Sequence, residues 1–206
     1  GDFAVAATAL ARGMRAHPQV RLVLFREAEN KRPVLLMDEF PALSEIADQI
    51  EWRDKVPLEE LPDEFARFAI SIAPLEAGNV FCEAKSEIKY LEAALAGVHS
   101  IVSPTAPYRD CVLHGVTGFL AQDDGDWEEC LVRLVADAGL RRRIARNALN
   151  HILWTFGPER QAMLFETLVM SLGPPAAAAR AAERLITRGR YQGLGVPAVP
   201  DYATPL

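Results

Sequence analysis

Two lysines four residues apart, Lys85 and Lys89, stand in a chain that otherwise uses arginine as its cation: of 22 Lys+Arg, the only other lysines are Lys31 and Lys55. They lie in the stretch Glu83-Ala84-Lys85-Ser86-Glu87-Ile88-Lys89-Tyr90-Leu91-Glu92, which follows an apolar run and opens an apolar-periodic helix. Ser86 is expected to be the N-cap, its hydroxyl bonding first-turn amides. Free first-turn amides and the positive end of the helix dipole make an anion site there. Lysines near a helix N-terminus are unfavourable by ~0.3–1 kcal/mol when exposed, a penalty that a bound anion removes. Glu92 shares a face with Lys89 and is placed to accept hydrogen bonds from a ribose diol, as the acidic residue of dinucleotide folds does. The competing description is an i,i+3 ion pair between Lys89 and Glu92, with Glu83, Glu87 and Glu92 as solvated surface charges. Residue types alone leave both open.

The elements that must position these groups alternate. Apolar β-rich runs at 20–25, 50–52, 69–73, 100–103 and 119–121 read as strands. Helical patterns fall at 3–15, 41–49 (with Ser44 as a candidate cap), 58–68 (interrupted by Pro62), 86–96, 107–113, 126–136, 139–151 and 158–170. Gly97 closes the lysine-bearing helix, as glycine does at a C-cap. Residues 30–37 show no pattern, and Arg53-Asp54-Lys55 reads as a polar turn. Alternating strand and helix argue for an α/β fold: a Rossmann-like, doubly wound parallel sheet with helices on both faces. Ligands of such sheets sit outside the carboxyl ends of the strands.

Composition excludes several classes. The 206 residues are 50% hydrophobic and 24% charged, enough for a packed core. Asp+Glu 28 gives a net charge of −6, without the basic footprint of a nucleic-acid binder. The three cysteines, Cys82, Cys111 and Cys130, and the four histidines have no metal-ligand spacing, so neither a zinc site nor a disulfide framework is expected. No metal or organic cofactor is expected. No apolar run approaches the ~20 residues of a membrane span, and the expected location is cytoplasmic. Arg141-Arg142-Arg143 with Arg146 reads as a solvated helix face, with peripheral contact to an anionic membrane as the lesser reading. Residues 171–206, Ala- and Pro-rich, read as a tail or linker, with 176–187 able to form a helix.

The string Ala84-Lys85-Ser86-Glu87-Ile88-Lys89-Tyr90-Leu91-Glu92-Ala93-Ala94, then Gly97-Val98, Ser103-Pro104-Thr105-Ala106-Pro107-Tyr108-Arg109 and Gly115-Val116-Thr117-Gly118-Phe119-Leu120, resembles the C-terminal, donor-binding half of GT-B glycosyltransferases. The nearest subset is family 4 and its relatives in bacterial polysaccharide and O-antigen assembly. The resemblance covers about residues 2–170 and is most specific over 69–121. It implies a domain at 1–170 that binds a nucleotide-diphospho-sugar. Glu92 would hold the ribose. Lys85, Ser86, Glu87 and Lys89 would face the diphosphate or sugar, and Arg53 and Val56 would lie near the nucleobase. It implies no metal, because basic groups and a helix N-terminus stabilise the leaving diphosphate. The family's paired glutamates, seven residues apart, place Ala84 at the first position, with Glu83 one residue off. His99 stands where a proline is usual and is expected to be packed.

The resemblance further implies that the family domain's first strand precedes residue 1, and that the acceptor-binding half lies elsewhere. The chain alone is then expected not to turn over. The alternative is a non-catalytic Rossmann-like assembly module. A receiver-like signalling domain needs an acidic cluster at the strand ends, where this chain has Arg26, Arg53, Pro74 and Pro104.

Overall fold

The computed structural model describes residues 1–172. The tail expected at 171–206, with its helix at 176–187, lies outside the described residues from 173 on.

Helix α1 (Ala4–Arg15) opens the chain and leads to strand β1 (Leu22–Arg26). A short helix α2 (Pro41–Ser44) precedes β2 (Ile50–Asp54), and α3 (Leu61–Phe65) precedes β3 (Ser71–Ala73). Then follow α4 (Val80–Glu83), α5 (Ile88–Leu95), β4 (Ser100–Val102), α6 (Ala106–Cys111) and β5 (Phe119–Leu120). Helices α7 (Asp124–Ala136), α8 (Ala138–Phe156) and α9 (Pro158–Leu172) complete the described chain. All named strand pairs are parallel, in two ladders: β1 with β2, and β3-β4-β5. Leu22 lies opposite Ile50 in the first ladder, and Ile101 opposite both Ile72 and Phe119 in the second. The α/β parallel architecture expected from the alternation is therefore present.

One apolar core spans both ladders and is closed by α1 and α7. The buried face of α1 is nearly all small: Ala6, Ala7, Ala9, Ala11 and Gly13 beside Leu10 and Met14. Small side chains let α7 come close. A Cβ on Gly13 would sit 3.0 Å from Leu131 Cδ2. A second cluster, with Tyr90, Val102, Tyr108 and Ile152, packs α5 and α6 against α8.

Three local expectations are corrected. The helix expected at 41–49 breaks after Ser44, whose hydroxyl donates back to the Pro41 carbonyl at 2.6 Å instead of capping. A 3-10 turn follows at Ala47–Gln49. The stretch expected helical over 58–68 is broken at Pro62 as expected, a 3-10 turn at Leu58–Glu60 giving way to α3 with Pro62 in its first turn, where a missing N–H costs nothing, but it ends at Phe65 and not at 68. Arg53 and Asp54 are not a turn: they remain in β2, opposite Phe25 and Arg26. The unpatterned residues 30–37 fold back on β1, with Val34 N–H donating to Phe25 C=O at 3.0 Å and Lys31 in a left-handed conformation (φ 57°).

Candidate functional site

A cleft of about 650 Å³ opens where β1, β3 and the start of α1 converge. Glu27 and Pro74, the residues just past the carboxyl ends of β1 and β3, line it, as do Asp2 and Phe3 ahead of α1. This is the edge at which open parallel sheets take ligands.

The lysine-bearing segment enters the cleft through Asp2. Lys85 Nζ donates to Asp2 Oδ2 at 2.5 Å and lies 4.9 Å from the centre of the Phe81 ring. The Cys82 thiol donates to Asp2 Oδ1 at 3.2 Å. The Lys85 hydrogen bond, with the Cys82 thiol adding to it, holds the Asp2 carboxyl below its usual range, and the same contact raises Lys85. Asp2 thus occupies the lysine head as an internal anion.

The helix N-terminus differs from expectation by one residue. The cap of α5 is Glu87, which makes no side-chain capping bond, and Ser86 is not the cap. The amides of Ser86, Glu87, Ile88 and Lys89 consequently have no acceptor among the described residues. Four successive unpaired donors at a helix start are a receiver for an anion. Lys89 does not share a partner with Lys85: it turns to Glu92 at 3.5 Å, the i,i+3 pair allowed by the sequence, with Lys89 60% and Glu92 24% exposed. At that exposure the pair contributes little, so both groups remain open to a ligand.

The loop before α5 is held from elsewhere. Ser103 Oγ accepts from Leu75 N–H at 2.8 Å, and Asn79 caps α4 by accepting from Phe81 N–H at 3.0 Å. Glu83 accepts from Gly78 N–H at 2.8 Å and Ala106 N–H at 2.7 Å. Those two amides, Gly78 first, hold its carboxyl below the usual range. Glu83 is thus committed to joining the 74–83 loop to α6. Ala84, at the expected first-glutamate position, follows directly as the C-cap of α4.

Arg53 and Val56 line a second cleft, of about 760 Å³, beyond the end of β2. Arg53 is engaged there: its Nε lies 2.6 Å from Glu64 Oε1 and its Nη2 donates to Glu64 Oε2 at 2.9 Å. Glu64 is 5% exposed. Removing one partner of such a buried pair costs ~3–5 kcal/mol, so Arg53 is first a structural residue. The 27–33 turn lines the first cleft and is joined by the Lys31–Asp54 pair to a residue of the second.

Sequence reasoning missed three participants: Asp2, Glu83 as a clamp, and Arg32, which lines the first cleft from the 27–33 turn. None of the three had a legible signal, whereas the Asn79 cap, also missed, did: an Asn directly ahead of an apolar run. No cluster of three or more His, Cys, Asp or Glu able to hold a metal ion occurs among the described residues. No helix among them is long and apolar enough to cross a membrane.

A family model described as glycosyl transferases, group 1, matches residues 2–137, well over half of the chain. No curated protein matches. Among solved structures, the C-terminal domain of LpcC, a glycosyl transferase group 1 family protein from Francisella tularensis, superposes with a TM-score of 0.56 at 16% identity, over 74% of this chain and 77% of that domain. Sucrose-phosphate synthase from Thermosynechococcus elongatus gives 0.57 at 17% identity, over 82% of this chain and 44% of that one. HepE from Anabaena, in complex with UDP, gives 0.56 at 19% identity, over 78% and 44%. The chain spans under half the length of the last two. These likenesses show a shared fold, that of the Rossmann-like halves of GT-B enzymes.

Proposed function

The chain belongs to the group 1 glycosyl transferase family, and we propose that residues 1–170 are its donor-binding half, taking a nucleotide-diphospho-sugar for transfer to a glycan or lipid-linked acceptor. The observation that carries this is the corner where Lys85 and the unpaired amides of Ser86 to Lys89 stand beside a cleft at the carboxyl edge of the sheet. Such a corner binds a diphosphate and, with donors already oriented, stabilises the charge that develops as the diphosphate leaves. Glu92, one turn into α5, accepts from the ribose hydroxyls, and the cleft beside Val56 receives the base. No metal is needed in this scheme. The UDP in the HepE complex supports a uridine nucleotide as the probe. The finer reading is a family 4 enzyme of bacterial polysaccharide assembly, acting in the cytoplasm with an acceptor half outside residues 1–170.

Calorimetric titration of the chain with UDP tests this. Binding in the micromolar range is expected, weakened at least tenfold by Lys85→Ala and by Glu92→Ala. Tenfold corresponds to about 1.4 kcal/mol, the scale of one charge-assisted hydrogen bond. Failure to bind millimolar UDP, GDP, dTDP or ADP would refute donor binding and leave the assembly-module reading. Variants that bind like the parent would refute the assigned residues.

A further inference from the structure

The basic side chains at the two clefts have nearly all been neutralised by the chain itself. In the second cleft, Arg26 Nε donates to Asp54 Oδ1 at 2.8 Å, Arg53 is paired with Glu64, and Arg67 Nη1 lies 3.7 Å from Glu64 Oε2. At the first, Lys85 is held by Asp2. Around the 27–33 turn, Lys31 Nζ reaches Asp54 Oδ2 at 2.6 Å and Lys55 Nζ reaches Glu27 Oε1 at 2.6 Å. Among the basic residues that line either cleft, Arg32 alone has a head with no carboxylate or carbonyl partner among the described residues.

Its backbone is nevertheless held, while its side chain is exposed. Arg32 N–H donates to Asn30 Oδ1 at 2.9 Å, and its carbonyl accepts from Glu27 N–H at 2.8 Å. Lys31 N–H donates to Glu27 C=O at 2.9 Å, closing the turn, and the Lys31–Asp54 and Lys55–Glu27 pairs tie the turn to the end of β2. The backbone is therefore held on both sides of a guanidinium that the fold leaves unspent. Such a planar fork matches two phosphate oxygens at once. Arg32 and Asp2 line the same cleft, and Asp2 carries Lys85.

We propose that Arg32 is a further donor-binding residue, closing on the diphosphate from the 27–33 turn while Lys85 and the α5 amides hold it from the other side. This rests on the donor-binding reading above and adds a second cationic contact from a different loop. It follows that phosphate recognition, and not base recognition, depends on Arg32.

The test is calorimetry of the full chain and its Arg32→Ala and Arg32→Lys variants with UDP, pyrophosphate and uridine, at low and high salt. Among the described residues the Arg32 side chain makes no hydrogen bond or ion pair, so the ligand-free melting temperature should be unchanged. Arg32→Ala should weaken UDP and pyrophosphate five- to twentyfold at low salt, with a shallower salt dependence, and leave uridine unaltered. Arg32→Lys should recover only part of the loss, because a point charge replaces a bidentate fork. Parent-like UDP affinity in Arg32→Ala overturns this proposal while leaving donor binding intact. An equal loss for uridine also overturns it, as the residue would then be shaping the cleft. A parent chain that binds neither UDP nor pyrophosphate overturns both readings.

Discussion

At the residue scale, the corner is defined by what Asp2 does to Lys85. A carboxylate 2.5 Å from the ammonium supplies the counter-charge that a phosphate would otherwise bring. A diphosphate approaching the pair meets Lys85 and Asp2 together, so part of the attraction of the lysine is cancelled. Asp2→Asn keeps the hydrogen bond and removes the charge. It should tighten UDP about three- to tenfold, equivalent to ~0.6–1.4 kcal/mol, and the gain should shrink as salt screens it. Unchanged or weaker UDP binding, measured by calorimetry at two ionic strengths, would show that Asp2 positions Lys85 and does not compete with the ligand. None of this was legible in the sequence, because Asp2 and Lys85 are 83 positions apart. What the sequence did disclose was Lys85 itself, through its rarity and its place before a helix. The cap was misassigned to Ser86 because serine is the better capping residue in isolation. In the folded chain Cys82 C=O accepts from Lys85 N–H, closing α4, and α5 begins only at Ile88.

At the element scale, long periodic segments declared themselves and short ones did not. Helices α1, α7 and α8 and all five strands lie where apolar periodicity put them, with ends shifted by a few residues. The failures were α2, α3 and α4, four, five and four residues long, the last in a stretch with no helical reading. At that length tertiary packing, not propensity, decides the conformation. Leu43, at 0% exposure, shows what holds α2 in place. Gly97 was the most legible terminator. It has φ +73°, its N–H donates to Ala94 C=O at 3.0 Å, and Val98 N–H donates to Ala93 C=O at 2.8 Å. A Cβ there would meet no neighbour within 4 Å, so any cost of substitution is conformational, not steric. Gly97→Ala should destabilise the chain by about 1 kcal/mol, read by urea denaturation. It should leave UDP affinity nearly unchanged, since Gly97 closes α5 at the end opposite the anion corner. A parent-like midpoint would mean that the turn relaxes into another conformation.

At the scale of the whole molecule, the site hangs from the β3–β4 ladder, and a buried histidine sits where that ladder begins. His99 is 2% exposed, its Nε2 has no hydrogen-bond partner among the described residues, and its carbonyl accepts from Ser71 N–H at 3.0 Å to start the pairing. Burial, and secondarily the charge of Arg141, lower it from 6.5 to about 4. His151 is lowered by burial as well. A histidine kept neutral by folding binds fewer protons folded than unfolded between those two values. Its stability contribution is therefore full above pH 6.5 and is lost as pH falls toward 4. Between pH 7 and pH 4.5 the loss should be roughly 2–3 kcal/mol. The depressed carboxyls of Asp2, Asp54, Glu83 and Asp137 act in the same direction but lower, beneath their unfolded values. The upper window thus belongs to the histidines. Because Ser103, just past β4, fixes Leu75 and through it the loop toward Lys85, acid should loosen the anion corner before the chain unfolds. Urea titrations at pH 7 and 4.5 on the parent and on His99→Gln measure this directly. The variant should lose most of the difference between the two pH values. A parent whose stability is flat over that range would mean that His99 finds a way to carry its proton inside the fold.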